Sequence, residues 1–333
     1  MSGSTSRSTS DPVRVDLAIV GAGPVGLYAA YYAGFRGMSV AVIDALEQVG
    51  GQMSAMYPEK MVYDVAGFPA VKAADLVQRL AEQAAASSPR YLLGEQVAGL
   101  THVDDRVELQ TAADTTVVAS AVLLTAGIGS FTPRPLPAGG EYVGRGVMHF
   151  VPQLEELRDL DIVVVGGGDS AVDWALSLEQ IASSVGIVHR RDVFRAHEAS
   201  LSRLRSSTVE ILTPYEVGAL HGEPQLRAVT LVSDDCVIER EAQVVVAALG
   251  FKADLGPIRR WGIDMTGRLI AVDRAQRTSL PRVFAAGDCC GHADKVSLIS
   301  VGFGEAATAV NHAAPLVHDG AVVVPGHSSD EPH

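Results

Sequence analysis

A short stretch of this chain is written twice. Asp16-Leu17-Ala18-Ile19-Val20 is an apolar run that stops at Gly21-Ala22-Gly23-Pro24-Val25-Gly26. A helical pattern follows to about Gly37, and a second apolar run, Ser39 to Ile43, ends at Asp44. At an offset of 145 positions the syntax returns. Asp161-Ile162-Val163-Val164-Val165 runs into Gly166-Gly167-Gly168-Asp169-Ser170-Ala171, a helix continues through about Ser183, and Val185 to Val188 ends at His189. Strand, glycine turn, helix, strand is the opening half of a doubly wound unit. Two copies commit the chain to an α/β fold of two Rossmann-like, three-layer domains.

A single glycine fingerprint is weak evidence, but each copy follows an apolar run and opens a helix. The first glycine (Gly21, Gly166) makes the tight turn. The second (Gly23, Gly168) lets backbone approach a pyrophosphate, and the third position (Gly26, Ala171) lets helix and strand pack closely. Pro24 in one copy, Asp169 and Ser170 in the other, open the helix, whose free N–H groups and dipole favour an anion. The copies differ at the far end of the second strand. Asp44 suits an adenosine ribose with unmodified hydroxyls. In its place the second copy has His189-Arg190-Arg191, with Arg195 four residues beyond. A guanidinium binds a 2′-phosphate bidentately, each charge-assisted bond contributing about 1.5–3 kcal/mol. Copy one therefore suits FAD and copy two NADP(H); a solvated charge pair is the plainer reading of Arg190-Arg191.

Length agrees with two domains, 333 residues at roughly 150 each. At 47% hydrophobic and 20% charged residues the chain is an ordinary globular one. Acidic residues outnumber basic ones, 39 to 26, for a net charge of −13, which argues against nucleic acid as a partner. Cys236, Cys289 and Cys290 supply neither a disulfide framework nor a four-cysteine metal site, and no metal is expected. The Ser/Thr-rich start has no apolar core like that of a signal peptide, and no apolar run is long enough to span a membrane. The expectation is a soluble, cytoplasmic protein with no membrane contact.

Two more apolar runs end in glycine, Ala121 to Gly127 and Val244 to Gly250, and each closes a dinucleotide half. Val283 to Ala286 then leads into Gly287-Asp288 ahead of an apparent helix. The domains are thus nested. Residues 1–13 form a flexible tail, 14–126 and 255–333 the FAD-binding domain, and 127–254 the NADPH-binding domain between them. Linkers around Gly129–Pro137 and Ala253–Pro257 would permit relative rotation.

With both fingerprints, the His189-Arg190-Arg191 segment and the late Gly287-Asp288 in order, the chain resembles the two-dinucleotide-binding flavoprotein reductases, thioredoxin reductase among them. The likeness is strongest over Gly144-Arg145-Gly146-Val147 and Val164 to Arg195. Thioredoxin reductases carry a redox CxxC just after the first of these; this chain has Met148-His149-Phe150-Val151. The narrower resemblance is to the thioredoxin-reductase-like ferredoxin/flavodoxin–NADP+ reductases. It rests on Gly50 to Lys60 with Tyr63 to Pro69, on Gly129 to Arg134, and on a C-terminal extension from about residue 315 that holds Val324 to Ser329.

That resemblance implies non-covalent FAD, NADPH/NADP+, a homodimer, and a ferredoxin or flavodoxin partner. It implies that Asp44 holds the FAD ribose, that Gln52 and Tyr57 contact the flavin with Tyr57 stacked on one face, and that Val97 meets the adenine side. Phe131 would sit beside the cofactor, Asp288 would hold the ribityl chain, and His327 and Ser329 would cover the other flavin face. Taken alone, Tyr57 and Phe131 read as core and His327 as a tail histidine. The adjacent Cys289 and Cys290 read as small buried side chains near the flavin. The implied chemistry is hydride transfer to the flavin and release of single electrons to the carrier. For an acidic carrier, Lys60, Lys72, Arg134 and Lys295 are candidate docking cations. Two rivals share the same cofactors, a reductase of small acceptors such as quinones and a redox sensor without turnover. Arg190→Ala with Arg191→Ala should weaken NADPH far more than NADH in binding titrations; equal losses would refute the 2′-phosphate role.

Overall fold

The computed structural model describes residues 11–324; His327, Ser329 and the tail up to residue 10 lie outside the described residues. Two compact units emerge. The first comprises Met1–Ser54, Lys60–Ser130 and Asp254–His333, and the second Ala55–Glu59 and Phe131–Ala253.

In the first unit four parallel strands lie in the order Arg90–Leu93, Val40–Asp44, Val13–Val20, Thr116–Leu124. The last of these serves two partners on its outer edge. Val107 to Gln110 pair antiparallel with Thr116 to Ala119, while Val122 to Leu124 pair parallel with Val283–Ala285. A strand from the far end of the chain therefore completes the parallel sheet. Both faces of this sheet are covered, so its strands are nearly continuous hydrophobic runs. Leu17, Ile19, Ile43, Leu123 and Leu124 are among the largest fully buried side chains, each worth about 1.5–3 kcal/mol of burial. Helix α1 (Pro24–Phe35) lies close because its inner face is small: Gly26, Ala29, Ala30 and Ala33 are buried with Leu27. Helices α2 (Gln52–Met56) and α3 (Ala73–Ala85) follow, and α3 buries the stripe Leu76, Val77 and Leu80.

The second unit repeats the plan. Five parallel strands run Val147–Met148, Val244–Ala247, Asp161–Val165, Ser184–Val188, Glu210–Leu212. Helices α4 (Asp169–Leu178) and α5 (Glu198–Arg205) pack on them, and Glu216–His221, Ala228–Val232 and Val237–Glu241 form an antiparallel ribbon. The two copies share matched hydrogen bonds. Gly21 N donates to Ile43 O at 2.8 Å, and Gly166 N to Val188 O at 2.9 Å. Ser39 Oγ donates to Asp16 Oδ2 at 2.7 Å, and Ser184 Oγ to Asp161 Oδ1 at 2.6 Å. The serine–aspartate link staples the two strands at the end away from the glycine turn in each copy.

One element differs from expectation. The residues after Asp288 do not begin a helix. Gly287–Cys289 is a single 3₁₀ turn, and Cys290–Gly291 is extended because it pairs with Ile270 and Ala271. The last helix, α6 (Ile299–Val317), starts eleven residues after Asp288. It packs on α1 and on Thr116–Leu124 through another small-residue face, Gly302, Ala306, Ala309 and Ala313.

Gly26 is the tightest point of the α1 contact. A Cβ there would overlap the carbonyl oxygen of Gly21 and lie 2.8 Å from Thr125 Oγ1, whereas one on Gly23 meets nothing within 4 Å. Gly26→Ala should therefore cost about 1–3 kcal/mol of stability in urea unfolding of the apoprotein. Gly23→Ala, whose backbone has φ −68°, should stay within about 0.5 kcal/mol.

Candidate dinucleotide-binding sites

In the first unit the turn between Val13–Val20 and α1 is held from behind. Thr125 Oγ1 donates to Gly21 O at 2.8 Å, and the Ala22 carbonyl accepts the Gly50 amide at 2.8 Å. Gly23 caps α1 with no side-chain hydrogen bond, so the first-turn amides face the open space beside Gly23. That combination, free N–H groups at a helix start with room for a non-protein group, is an anion cradle. Gly51 approaches the same turn closely, since a Cβ on it would sit 3.2 Å from Gly23 Cα. Gln52 opens α2, and its Nε2 would lie 3.1 Å from a Cβ on Gly127.

Asp44 ends its strand with both oxygens engaged. Oδ2 accepts the Ala22 amide at 2.6 Å and Oδ1 the Leu46 amide at 2.8 Å. Burial raises its pKa while the two amides pull it down. Each oxygen keeps a second lone pair, the acceptor that a ribose hydroxyl needs. Val97 is buried in the core two residues beyond Glu95, whose amide donates to Asp44 O at 2.9 Å. Asp288 is exposed on the 3₁₀ turn, yet packed closely enough that desolvation lifts its pKa. Glu305 and Asp64 add to the rise and Lys295 opposes it. Gly21, Gly23, Gly26, Asp44, Gln52 and Asp288 thus belong to one unit, and the open cradle at Gly23 fits the pyrophosphate of FAD.

The second unit offers the matching cradle. Gly168 caps α4 without a side-chain bond, and a Cβ on it would meet nothing within 4 Å. Asp169, first in the helix, turns its carboxylate aside to accept the His197 amide at 2.8 Å. The arginine loop is tied directly to the turn, for Arg195 N donates to Gly167 O at 2.7 Å. Arg190, Arg191 and Arg195 are exposed; Arg190 stands 3.9 Å from Glu216, and no described ion pair engages the other two. His189 sits differently. It is buried against the face of Gly167, with Phe194 at 5.2 Å between ring centroids. Burial first, then Arg195, Arg190 and Arg191, hold its pKa below the usual histidine range. A neutral His189 shapes the floor of the turn, and the positive charge comes from the arginines.

Tyr57 and Phe131 both fall in the second unit. Tyr57 is half-buried beside the core built on Val151, Val164 and Trp174. Phe131 joins an aromatic trio with Phe150 and Phe251, at 6.1 and 6.0 Å. Phe150, half-buried, thus occupies the stretch where a CxxC would stand. Cys289 and Cys290 are fully buried; Cys289 Sγ lies 3.3 Å from the carbonyls of Leu124 and Ala286. Hydrogen bonding to Cys289 and burial push the Cys290 thiol well above the ordinary range. Of the candidate docking cations, Lys72 and Arg134 are exposed and Lys60 is half-buried. Lys295 is not on the surface, because Glu305 pairs with it inside the first unit. Glu305 escaped the sequence reading, although an acid on a helix face otherwise made of Gly and Ala is a visible signal. No described helix is long and apolar enough to cross a membrane.

A family profile described as "Pyridine nucleotide-disulphide oxidoreductase" matches residues 15–313. A protein named ferredoxin--NADP reductase from Frankia alni is 57% identical over 318 residues, covering 95% of this chain and 99% of that one. One of the same name from Nocardioides sp. is 53% identical over 327 residues, covering 97% and 99%. Among solved structures, Lactococcus lactis thioredoxin reductase superposes with a TM-score of 0.75 at 26% identity, covering 91% and 99%. T. acidophilum thioredoxin reductase reaches 0.77 at 24%, covering 91% and 98%, a likeness of fold.

The depressed His189 pKa has a consequence for stability. A histidine kept neutral by the fold protonates more readily unfolded, so its contribution is full above about 6.5. The contribution is lost as pH falls from there through the folded pKa. His189→Gln should remove that part of the acid-side decline in a pH series of thermal melts.

Proposed function

The chain belongs to the pyridine nucleotide-disulphide oxidoreductase family, and on that premise we propose that it is a ferredoxin–NADP+ reductase using non-covalent FAD. It moves electrons between NADPH and a one-electron carrier, a ferredoxin or flavodoxin. The observation that carries this reading is the unequal pair of strand ends, a carboxylate at Asp44 against the arginine loop at Arg190, Arg191 and Arg195. The names of the relatives support it, as does the cysteine-free Met148-His149-Phe150-Val151 where a disulfide reductase would hold its dithiol. When bound, FAD supplies the exchange between a two-electron hydride donor and a one-electron acceptor.

The residues divide the work by position. Gly21, Gly23, Pro24 and Gly26 present the α1 amides to the FAD pyrophosphate, and Asp44 accepts from its ribose. Gln52, Val97 and Asp288 line the rest, and the flavin contacts of Phe131 and Tyr57 rest on the resemblance alone. Gly166, Gly168, Ser170 and Ala171 cradle the NADPH pyrophosphate, and the three arginines bind its 2′-phosphate, which a carboxylate in their place, such as Asp44 in the first copy, would repel. His327 and Ser329, from the partner subunit of a homodimer, complete the flavin cover. Support for the dimer is the exposed end of α1, where Phe35 is 69% exposed and stacks on Tyr32 at 5.9 Å. The cytoplasm, where NADPH and such carriers occur together, is the compartment this reading assigns.

Steady-state turnover with NADPH decides the acceptor. Purified ferredoxin or flavodoxin should be reduced over many cycles. Turnover of quinones or ferric chelates without either carrier would sink the proposal.

A further inference from the structure

Lys295 lies directly behind the turn that carries Asp288. Its ammonium is 2.8 Å from Glu305 Oε2, and the two side chains are only 7% and 6% exposed. The pair grips one residue from both ends. Glu305 Oε2 accepts the Gly287 amide at 2.8 Å, and Lys295 Nζ donates to the Gly287 carbonyl at 2.5 Å. A third contact from Nζ reaches Cys290 Sγ at 3.3 Å, beyond the turn. Gly287 has φ +77°, where a side chain would be strained, and a Cβ on it would lie 3.2 Å from Val25 in the first glycine turn. The gripped residue therefore joins Asp288 to the α1 cradle.

Stability does not account for such a pair. Desolvating two charges is costly, and replacing a buried ion pair by apolar residues of similar volume is often neutral or stabilising. What these two charges do locally is specific: they fix both polar groups of Gly287 and set a cation near Asp288, which otherwise feels Glu305 and Asp64. Glu305 Oε1 is buried without a hydrogen bond, with His292 Nε2 at 3.6 Å, so its bonding is concentrated on the oxygen that holds Gly287.

We propose that Lys295 and Glu305 are positioning residues for the flavin, locking Gly287 so that Asp288 presents its carboxylate to the ribityl chain. This rests on the assignment of Asp288 to the ribityl contact.

The test measures FAD affinity on deflavinated protein for Asp288→Ala, for the double variant Lys295→Met with Glu305→Leu, and for all three together. The double variant should fold, with a melting temperature lowered by the unpaired Gly287 amide, and bind FAD about tenfold or more weakly. Adding Asp288→Ala to it should cost nothing further, because both act on one contact. A purely structural pair would instead give losses that multiply, and that result overturns the proposal. Normal FAD binding by the double variant, with Asp288→Ala impaired, overturns the clamp alone. Normal binding by Asp288→Ala overturns the ribityl assignment and the clamp with it. Should the double variant fail to fold, Glu305→Gln keeps an acceptor for the Gly287 amide while removing the charge that holds the ammonium, and is scored the same way.

Discussion

A helix start pressed against a strand end is the constraint on which this molecule depends, and it is met twice. At Gly26 there is no room for a Cβ beside the Gly21 carbonyl, and at Gly166 none beside the Ala248 carbonyl. That closeness brings the first amides of α1 and α4 to the carboxyl ends of their sheets with no side chain to cap them. Both cradles follow from this packing, since unsatisfied donors and an aligned dipole recruit an anion. The sheets behind them serve chiefly to hold the geometry.

Given two equal cradles, charge at the next strand end separates them. Asp44 is steadied by the Ala22 and Leu46 amides, which keep a carboxylate where a ribose hydroxyl would donate. In the other copy the strand ends at a neutral, buried histidine. The cationic loop beyond it is fastened to the turn through the Arg195 amide and the Gly167 carbonyl. One backbone bond thus couples the glycine turn to the arginine loop.

Much of this was legible because it is local. Glycine spacing, apolar runs and the residue at each strand end lie within about thirty positions, and the offset of 145 also carries the Asp16–Ser39 staple into Asp161–Ser184. The illegible parts join distant segments. Lys295 reads as a surface cation until α6 folds Glu305 onto it. Cys290 reads as the start of a helix until Ile270 pairs with it as a strand. Tyr57 sits five residues from Gln52 in sequence, yet Gln52 belongs to the first unit and Tyr57 to the second.

The sequence by itself determined the two-copy α/β plan, the opposite charge preferences of its copies and the lack of a dithiol, because each is set by neighbours along the chain. Only the tertiary structure decided that Val283–Ala285 completes the first sheet and that His189 is a buried filler. It also decided that Lys295 and Glu305 face inward upon Gly287. The reason is physical: burial and pairing of charged groups depend on which distant backbone covers them, and no local pattern encodes that cover.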